Sequence, residues 1–592
     1  MNELNDLFRK NKPIDKGLLK SGLQSYSKIG NVQNVQDDKI DKLKDLFSVF
    51  RALTDENLQK SASEEHENKA SLETLSQAIQ VFTQAPSLPQ QEMMASKGTL
   101  KSDLNDSTHL LLNLLKSSTS IEEIISEVKK LLEENLKSKE LVLELLDVLL
   151  LIDSELEQRL MLEYLYAAYS IETEQEDSAL KEKVLEWQQL LISIAREEMG
   201  HLITVQNVRK SLGLNMYFKV NDLSELTNIF PYISKLEPFS KTSLAKYIFA
   251  ESPKNWINTN DPYAEKVRAL IDAEIKSEKS VSNNDISNLA SYFAKYGIPI
   301  SVLFNVILLI LEHFTTATDF SVPSVTEQAR PEQWNRGYSS DERILMINGK
   351  EIKIPASHVL VQTAMTRWEC IEAIKLVAEQ GEDAPDESIH KDTSTHFNRF
   401  LKIFKEWDTL GDGKGFKPSK NMATNPSTST GDVGSKIETS LIQDPTTLKW
   451  ARLLNIRYSL LIAFIEHSFN IEANFANQAS SLRGLVINSS FGEMYHLKAI
   501  SAVLSSLPMV EGNTELLAGP PFEMRPILAK RYSKVLQQDA DVSKSNFEDL
   551  YVKFIQESNA VIKEIPDYEN NRFLLNLQNN DRELLALLLP QS

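Results

Sequence analysis

Two long stretches of helical periodicity, separated by a short polar break, constrain this chain most. The first, ELVLELLDVLLLIDSELEQRLMLEYLYAAYS, ends at Ser170; the second, ALKEKVLEWQQLLISIAREEMGHLITVQNVRKSLG, begins at Ala179. In both, apolar residues recur at three and four, which places them on one side of an α-helix. The first is apolar over most of its circumference, so it belongs inside a bundle rather than on a surface. A break as short as Gln175 to Ser178 makes the two helices antiparallel neighbours. Ser178 is expected to cap the second helix, and Gly213 to stop it. Glycine is scarce, 19 in 592 residues, whereas a wound α/β sheet needs many glycine turns. The expected fold class is therefore all-α: a helical bundle with additional N-terminal and C-terminal helical regions.

The remainder of the chain divides by composition. Residues 1–100 are polar and rich in Ser, Gln, Lys and Glu, and read as a helical N-terminal arm. Residues 101–410 form the expected bundle domain. Ser120 and Glu123 make a capping box ahead of a helix there. Asn348-Gly349 in NGKEIKIP marks a hairpin turn. Helices are expected over Val359 to Gln380 and Thr393 to Trp407. Residues 411–443 have few apolar side chains and read as a flexible linker or loop. Residues 444–592 return to helix and are expected to pack on the bundle.

Charge and composition exclude several classes. A net charge of −19 disfavours a phosphate-binding surface, so no nucleic-acid partner is expected. The most apolar run, Ile298 to Leu311, is too short to span a bilayer and reads as a core helix. The first residues lack the apolar core of a signal peptide. One cysteine, Cys370, permits no intramolecular disulfide and no cysteine zinc site, which points to a reducing cytoplasm. Cys370 lies on an apolar helical face and reads as core rather than nucleophile. No Gly-x-Ser-x-Gly, phosphate loop or Gly-x-Gly-x-x-Gly supports a hydrolase or nucleotide enzyme.

The chemistry-bearing feature is Glu198-Met-Gly-His201. Residues three apart share a helix face, so this carboxylate and imidazole point the same way. Carboxylate-bridged dimetal bundles combine such a Glu-x-x-His with a lone Glu from a neighbouring helix. Glu163 is the expected lone Glu, because a charge flanked by Leu162 and Leu165 is costly unless paired or ligated. Oxygen and imidazole donors suit iron, with manganese as the alternative. Helices carry many glutamates, so the same spacing also describes a solvated face. Glu493-x-x-His496, with Glu466 on the preceding helix, is a rival pattern. Tyr164 and Tyr166 flank Glu163 and read first as aromatic core.

Several segments together resemble a known family. EYLYAAYSIE, AREEMGHLITVQNVRKSLG, IFPYISKLEPFSKTSLAKYIFAESP, FSVPSVTEQARPEQW, EAIKLVAEQGED, STHFNRFLKIF and SSLPMVEGNTELLAGPPFE are similar to the ferritin-like domain of the iminophenyl-pyruvate dimer synthases, enzymes of violacein- and rebeccamycin-type bisindole biosynthesis. The resemblance runs discontinuously from about residue 155 to 525. It implies metal ligands at Glu163, Glu198 and His201, with Glu379 or Glu382 and His396 opposite. Two positions depart from the pattern. Asp383 stands where the family has glycine, and Thr393 stands three residues before His396, so that half is either incomplete or supplied by Asp392 or Glu387.

The expected function is that of a ferritin-like non-haem iron oxidoreductase, holding one or two ions. It would act on a small organic metabolite with O2 or peroxide. A second copy of the chain or a pathway partner protein is the expected macromolecular partner. The alternative is a non-catalytic helical binding or scaffold protein that retains the fold.

Overall fold

The computed structural model describes residues 139–588 apart from 220–233, 254–255, 279–299, 321–326, 335–342, 348–349, 355–358, 382–394, 412–415, 430–439, 472–480 and 537–546. The expected N-terminal arm and the Ser120–Glu123 capping box lie outside the described residues.

The two periodic stretches form the longest helices, α1 (Lys139–Ser170) and α2 (Ser178–Ser211), packed as an antiparallel hairpin. Asp177, not Ser178, caps α2: its side chain accepts from Ala179 and Leu180 backbone N–H groups. The aspartate stands one residue before the first helical turn, where its carboxylate reaches those orphan donors. Gly213 ends α2 with a φ of 70°, a backbone conformation that glycine adopts at little cost. Short helices follow: α3 (Lys241–Ala250), α4 (Pro262–Glu278), α5 (Ile300–His313) and α6 (Pro331–Trp334). Then come α7 (Arg367–Gly381) and α8 (His396–Leu410). A second hairpin, α9 (Pro445–Ser468) and α10 (Leu482–Leu504), begins the C-terminal half, which α11 (Pro526–Leu536), α12 (Phe547–Glu564) and α13 (Arg572–Leu588) complete.

Strands are few. β1 (Arg343–Ile347) pairs antiparallel with β2 (Lys350–Ile354), with Ile347 opposite Lys350; Asn348-Gly349, the expected hairpin turn, lies outside the described residues. β3 (Pro426–Ser427) and β4 (Ser440–Leu441) pair parallel; β5 (Pro508–Val510) and β6 (Asn513–Leu517) pair antiparallel. The architecture is a helical bundle with short accessory hairpins. No helix among the described residues is long and apolar enough to cross a membrane, and the apolar run predicted as a core helix forms α5.

Two cores share the first hairpin. One side of α1 and α2, through Leu146, Leu150, Leu160, Val184, Trp187 and Leu191, packs with α3, α5, α7 and α8. The other side, through Leu162, Met199, Leu202 and Ile203, packs against the C-terminal helices. Double coverage accounts for the nearly all-round apolarity of α1.

One expected helix starts late. Residues 359–364 run extended along α2, and helix begins only at Arg367. Side chains of α2 take up the backbone groups of this segment. Asn207 Nδ2 donates to Gln362 O at 2.7 Å, and Gln362 N donates to Thr204 Oγ1 at 3.1 Å. Gln328, from the neighbouring loop, bonds both the N–H and the carbonyl of Ala364. These side-chain partners replace the i→i−4 ladder that helical propensity alone would favour.

The polar stretch 411–443 is tied to both halves over 416–429. Lys420 N donates to Ser170 O, and Ala423 N to Leu517 O. Tyr166, at the end of α1, donates to the carbonyls of Ala423 and Ala518.

Gly200, inside the Glu-x-x-His motif, lets the extended segment approach α2. A Cβ at Gly200 would stand 2.5 Å from Leu360 O and 2.8 Å from Val359 Cγ1. The first neighbour is backbone and cannot move without shifting the segment. Gly200→Ala is therefore expected to destabilise the fold by about 1–3 kcal/mol, typical of overpacking. Urea denaturation of the variant beside wild type measures it, and an unchanged midpoint would refute the close approach.

Candidate metal centre

The first hairpin brings a buried charged face to the middle of the bundle. Asp153 and Glu157 are one turn apart on α1, and Glu197, Glu198 and His201 lie on the facing part of α2. Glu251 caps the C-terminal end of α3, and His396 opens α8. All seven side chains are buried, none more than 4% exposed. Buried carboxyl groups must be paired, ligated or protonated.

Glu198 stands between the two imidazoles. Its Oε2 lies 3.0 Å from His201 Nδ1, and its Oε1 lies 2.9 Å from His396 Nδ1. Glu157 Oε2 lies 3.3 Å from His201 Nδ1, and Glu251 Oε2 lies 3.7 Å from His396 Nδ1. Two donor sets result, Glu157–Glu198–His201 and Glu198–Glu251–His396, each with ligand atoms within 4.8 Å of one another. Glu198 belongs to both, the position of a bridging carboxylate. The rings of His201 and His396 lie 5.4 Å apart and nearly parallel.

The outward nitrogens of both rings are held. His201 Nε2 meets Gln380 Oε1 at 2.9 Å, and His396 Nε2 meets Glu197 Oε2 at 3.0 Å. Glu197 is fixed by the guanidinium of Arg399 and by Gln380 Nε2. A carboxylate or amide oxygen behind each ring favours a proton on the outward nitrogen, so that a cation bound in the cluster would meet the Nδ1 lone pair. Tyr164 donates to Glu251 Oε1 at 2.5 Å, so its other oxygen faces His396.

The residues fit a cation on their own chemistry. The contact between Glu198 Oε1 and His396 Nδ1 is close but lacks hydrogen-bond alignment, so both atoms have no hydrogen-bond partner. Glu157 Oε2 and both oxygens of Asp153 have none either. Buried orphan acceptors of this kind are rare unless a ligand or ion takes them up. Carboxylate oxygens with imidazole nitrogens are the donors that iron and manganese accept.

The charges are strongly interdependent. Burial, then the neighbouring Glu198 charge, pushes Glu157 well above the usual carboxylate range. Burial and Glu198 also raise Glu251. Burial opposes the charge on Glu198 itself, but His396 and His201 hold it well below the usual range. Burial likewise disfavours charge on His396, yet Glu198 and Glu197 lift it well above the usual imidazole value. Burial pushes Asp153 up to about 8 against the pull of His201 and Arg209.

The expected residues are placed differently from one another. Glu198, His201 and His396 converge in this centre. Glu163 does not join them: six residues from Glu157, it points about 120° away around α1. It accepts from Ser234, with Arg159 and Lys246 nearby, and burial pushes it up to about 7. Ser234, Arg159 and Lys246 offset part of the cost of its burial. Glu379 is exposed on α7, while Gln380 beside it faces inward. Glu382, with Asp383, Glu387, Asp392 and Thr393, lies outside the described residues.

Glu157 and Glu251 were missed by sequence reasoning, and each had a signal. The midpoint between Glu157 and Glu198 falls beside Asp177, at the break that turns α1 into α2; the midpoint for Glu163 falls inside α2. Glu251 stands in YIFAESP, one of the resembling segments. The rival pattern is settled by cations: Glu466 is held by Arg531 and Tyr532, and Glu493 by Arg457. Cys370 is buried and pushed up to about 12 by that burial, as a core thiol is.

Two predictions follow from this charge arrangement. Glu197→Gln leaves the Arg399 guanidinium buried without its carboxylate and is expected to cost about 3–5 kcal/mol in denaturant unfolding. In metal-free protein, folded Asp153 keeps its proton up to about pH 8, whereas unfolded aspartate releases it near about 3.9. Across that window the folded state binds more protons, so stability falls as pH rises, by up to about 1.4 kcal/mol per pH unit from this group. Glu157, Glu251 and His396 shift in the same direction. Asp153→Asn should flatten the pH profile of the urea midpoint; a variant with the same slope as wild type would remove Asp153 from the cluster.

No curated protein and no solved structure matches the chain. Residues 152–405, from the middle of α1 into α8 and including all the side chains of this centre, match the family model described as ferritin-like, so this part of the chain is a ferritin-like bundle.

Proposed function

We propose that this protein is a non-haem iron oxidoreductase in which Glu157, Glu198, His201, Glu251 and His396 hold one or two ions, with manganese as the alternative metal. The observation that carries this reading is the pair of inward Nδ1 atoms, each backed on its outward nitrogen and each facing Glu198. Iron held there would supply redox chemistry toward O2 or a peroxide. The chain's own part is to exclude water, to bridge through Glu198 and to keep each imidazole in one tautomer. Glu197 and Gln380 perform the last task; Tyr164 orients Glu251. The substrate we assign is a small organic metabolite, which the segments similar to iminophenyl-pyruvate dimer synthases support. The single buried cysteine supports a reducing, cytoplasmic setting.

Elemental analysis of freshly purified protein tests the reading. One or two irons per chain are expected, lost in Glu198→Ala/His201→Ala. Gln380→Ala should weaken metal affinity about 10–100-fold, the usual cost of losing an outer partner. Glu163→Gln should retain metal. No metal in wild type, even after anaerobic iron loading, would overturn the proposal in favour of a binding or scaffold role.

A further inference from the structure

The C-terminal half contains a second charged cluster, laid out like the first but built around an arginine. In the second hairpin, Glu493-x-x-His496 on α10 faces Arg457 on α9, much as Glu198-x-x-His201 on α2 faces Glu157 on α1. The midpoint between Arg457 and Glu493 falls at residue 475, between the end of α9 and the start of α10. The hairpins also meet at neighbouring positions: Gln158 Nε2 donates to the Tyr458 hydroxyl at 2.6 Å. Glu157 and Arg457 each immediately precede a residue of that contact. Both clusters take a further carboxylate from outside the hairpin, Glu251 in the first and Asp581 of α13 in the second.

The second cluster differs in what neutralises it. Arg457 Nε donates to Glu493 Oε2 at 2.7 Å, and Nη2 to Glu493 Oε1. Nη1 donates to both oxygens of Asp581, at 2.7 and 2.9 Å. Nη2 lies 3.4 Å from His496 Nδ1. Arg457, Glu493 and Asp581 are buried. Glu493, Asp581 and His496 are the donor types of the first centre, but their ligand atoms do not converge within 4.8 Å as those of the first centre do. The guanidinium, planar and always charged, fills the space between the two carboxylates.

We propose that the Arg457–Glu493–Asp581–His496 cluster is an ion-free counterpart of the metal centre. The guanidinium does the neutralising and bridging that a divalent cation does in the first hairpin, and its removal opens a cation site of two carboxylates and one imidazole. The C-terminal half thereby keeps its buried carboxylates compensated without depending on metal supply.

The test is cation rescue of Arg457→Ala in the full chain. In chelator, the variant is expected to melt about 10 °C below wild type, since two buried carboxylates lose their counter-charge. Adding Mn(II), Co(II) or Zn(II) alone should restore most of that loss. Elemental analysis should then find one ion more per chain than in wild type. Adding Asp581→Asn should abolish the extra ion. Arg457→Lys, which keeps the charge, should take up none. An Arg457→Ala protein that melts like wild type in chelator overturns the proposal. So does one whose melting temperature none of the three ions raises, or one that stays unfolded in the presence of each of them.

Discussion

Burial of like charges sets the terms for the first hairpin. Asp153, Glu157, Glu197, Glu198 and Glu251 occupy one water-excluded region, where each charge costs several kcal/mol unless compensated. Arg399 compensates Glu197 directly, and the two imidazoles face Glu198. Among the described residues, Glu157 and Glu251 meet only the imidazoles they share with Glu198 as positive groups, and their raised proton affinities follow from burial and the Glu198 charge. The surrounding packing serves the arrangement. α3 delivers Glu251, α8 delivers His396, and α7 brings Gln380 against His201.

The same demand is met in two ways within one chain. In the C-terminal half, Arg457 supplies the positive charge covalently, and Arg531 does so for Glu466. In the ferritin-like part, no guanidinium among the described residues stands between Glu157, Glu198 and Glu251, and orphan oxygens face the imidazoles instead. A buried Glu-x-x-His is thus a neutral statement about function. Whether an arginine or further acceptor oxygens face it separates a closed ion pair from a donor set that could hold a cation. That distinction lies in side chains from distant parts of the sequence, and no local pattern contains it.

Much of the fold was legible in the sequence. The 3.6-residue periodicity of α1 and α2 marked a helical hairpin, because one face of each helix must be buried wherever the chain goes. Gly213 marked its end, since the positive φ there favours glycine, and the hairpin signal at Asn348-Gly349 agrees with the antiparallel pairing of β1 with β2. The late start of α7 was not legible. Its helical-looking approach, residues 359–364, is claimed by Thr204, Asn207 and Gln328, none of which is a sequence neighbour.

For the centre, the sequence by itself determined the one-face pairing of Glu198 with His201, because helix geometry alone places residues three apart together. It also pointed to His396 through a resembling segment. Only the tertiary structure decided which carboxylates meet them. Glu157 and Glu251 were chosen over Glu163 and Glu379 by the rotation of α1 and the docking of α3 and α7. A helix rotates about 100° per residue, so a lone glutamate read without its neighbours can be assigned to either face. Packing between helices fixes that rotation, and it acts through contacts hundreds of residues apart.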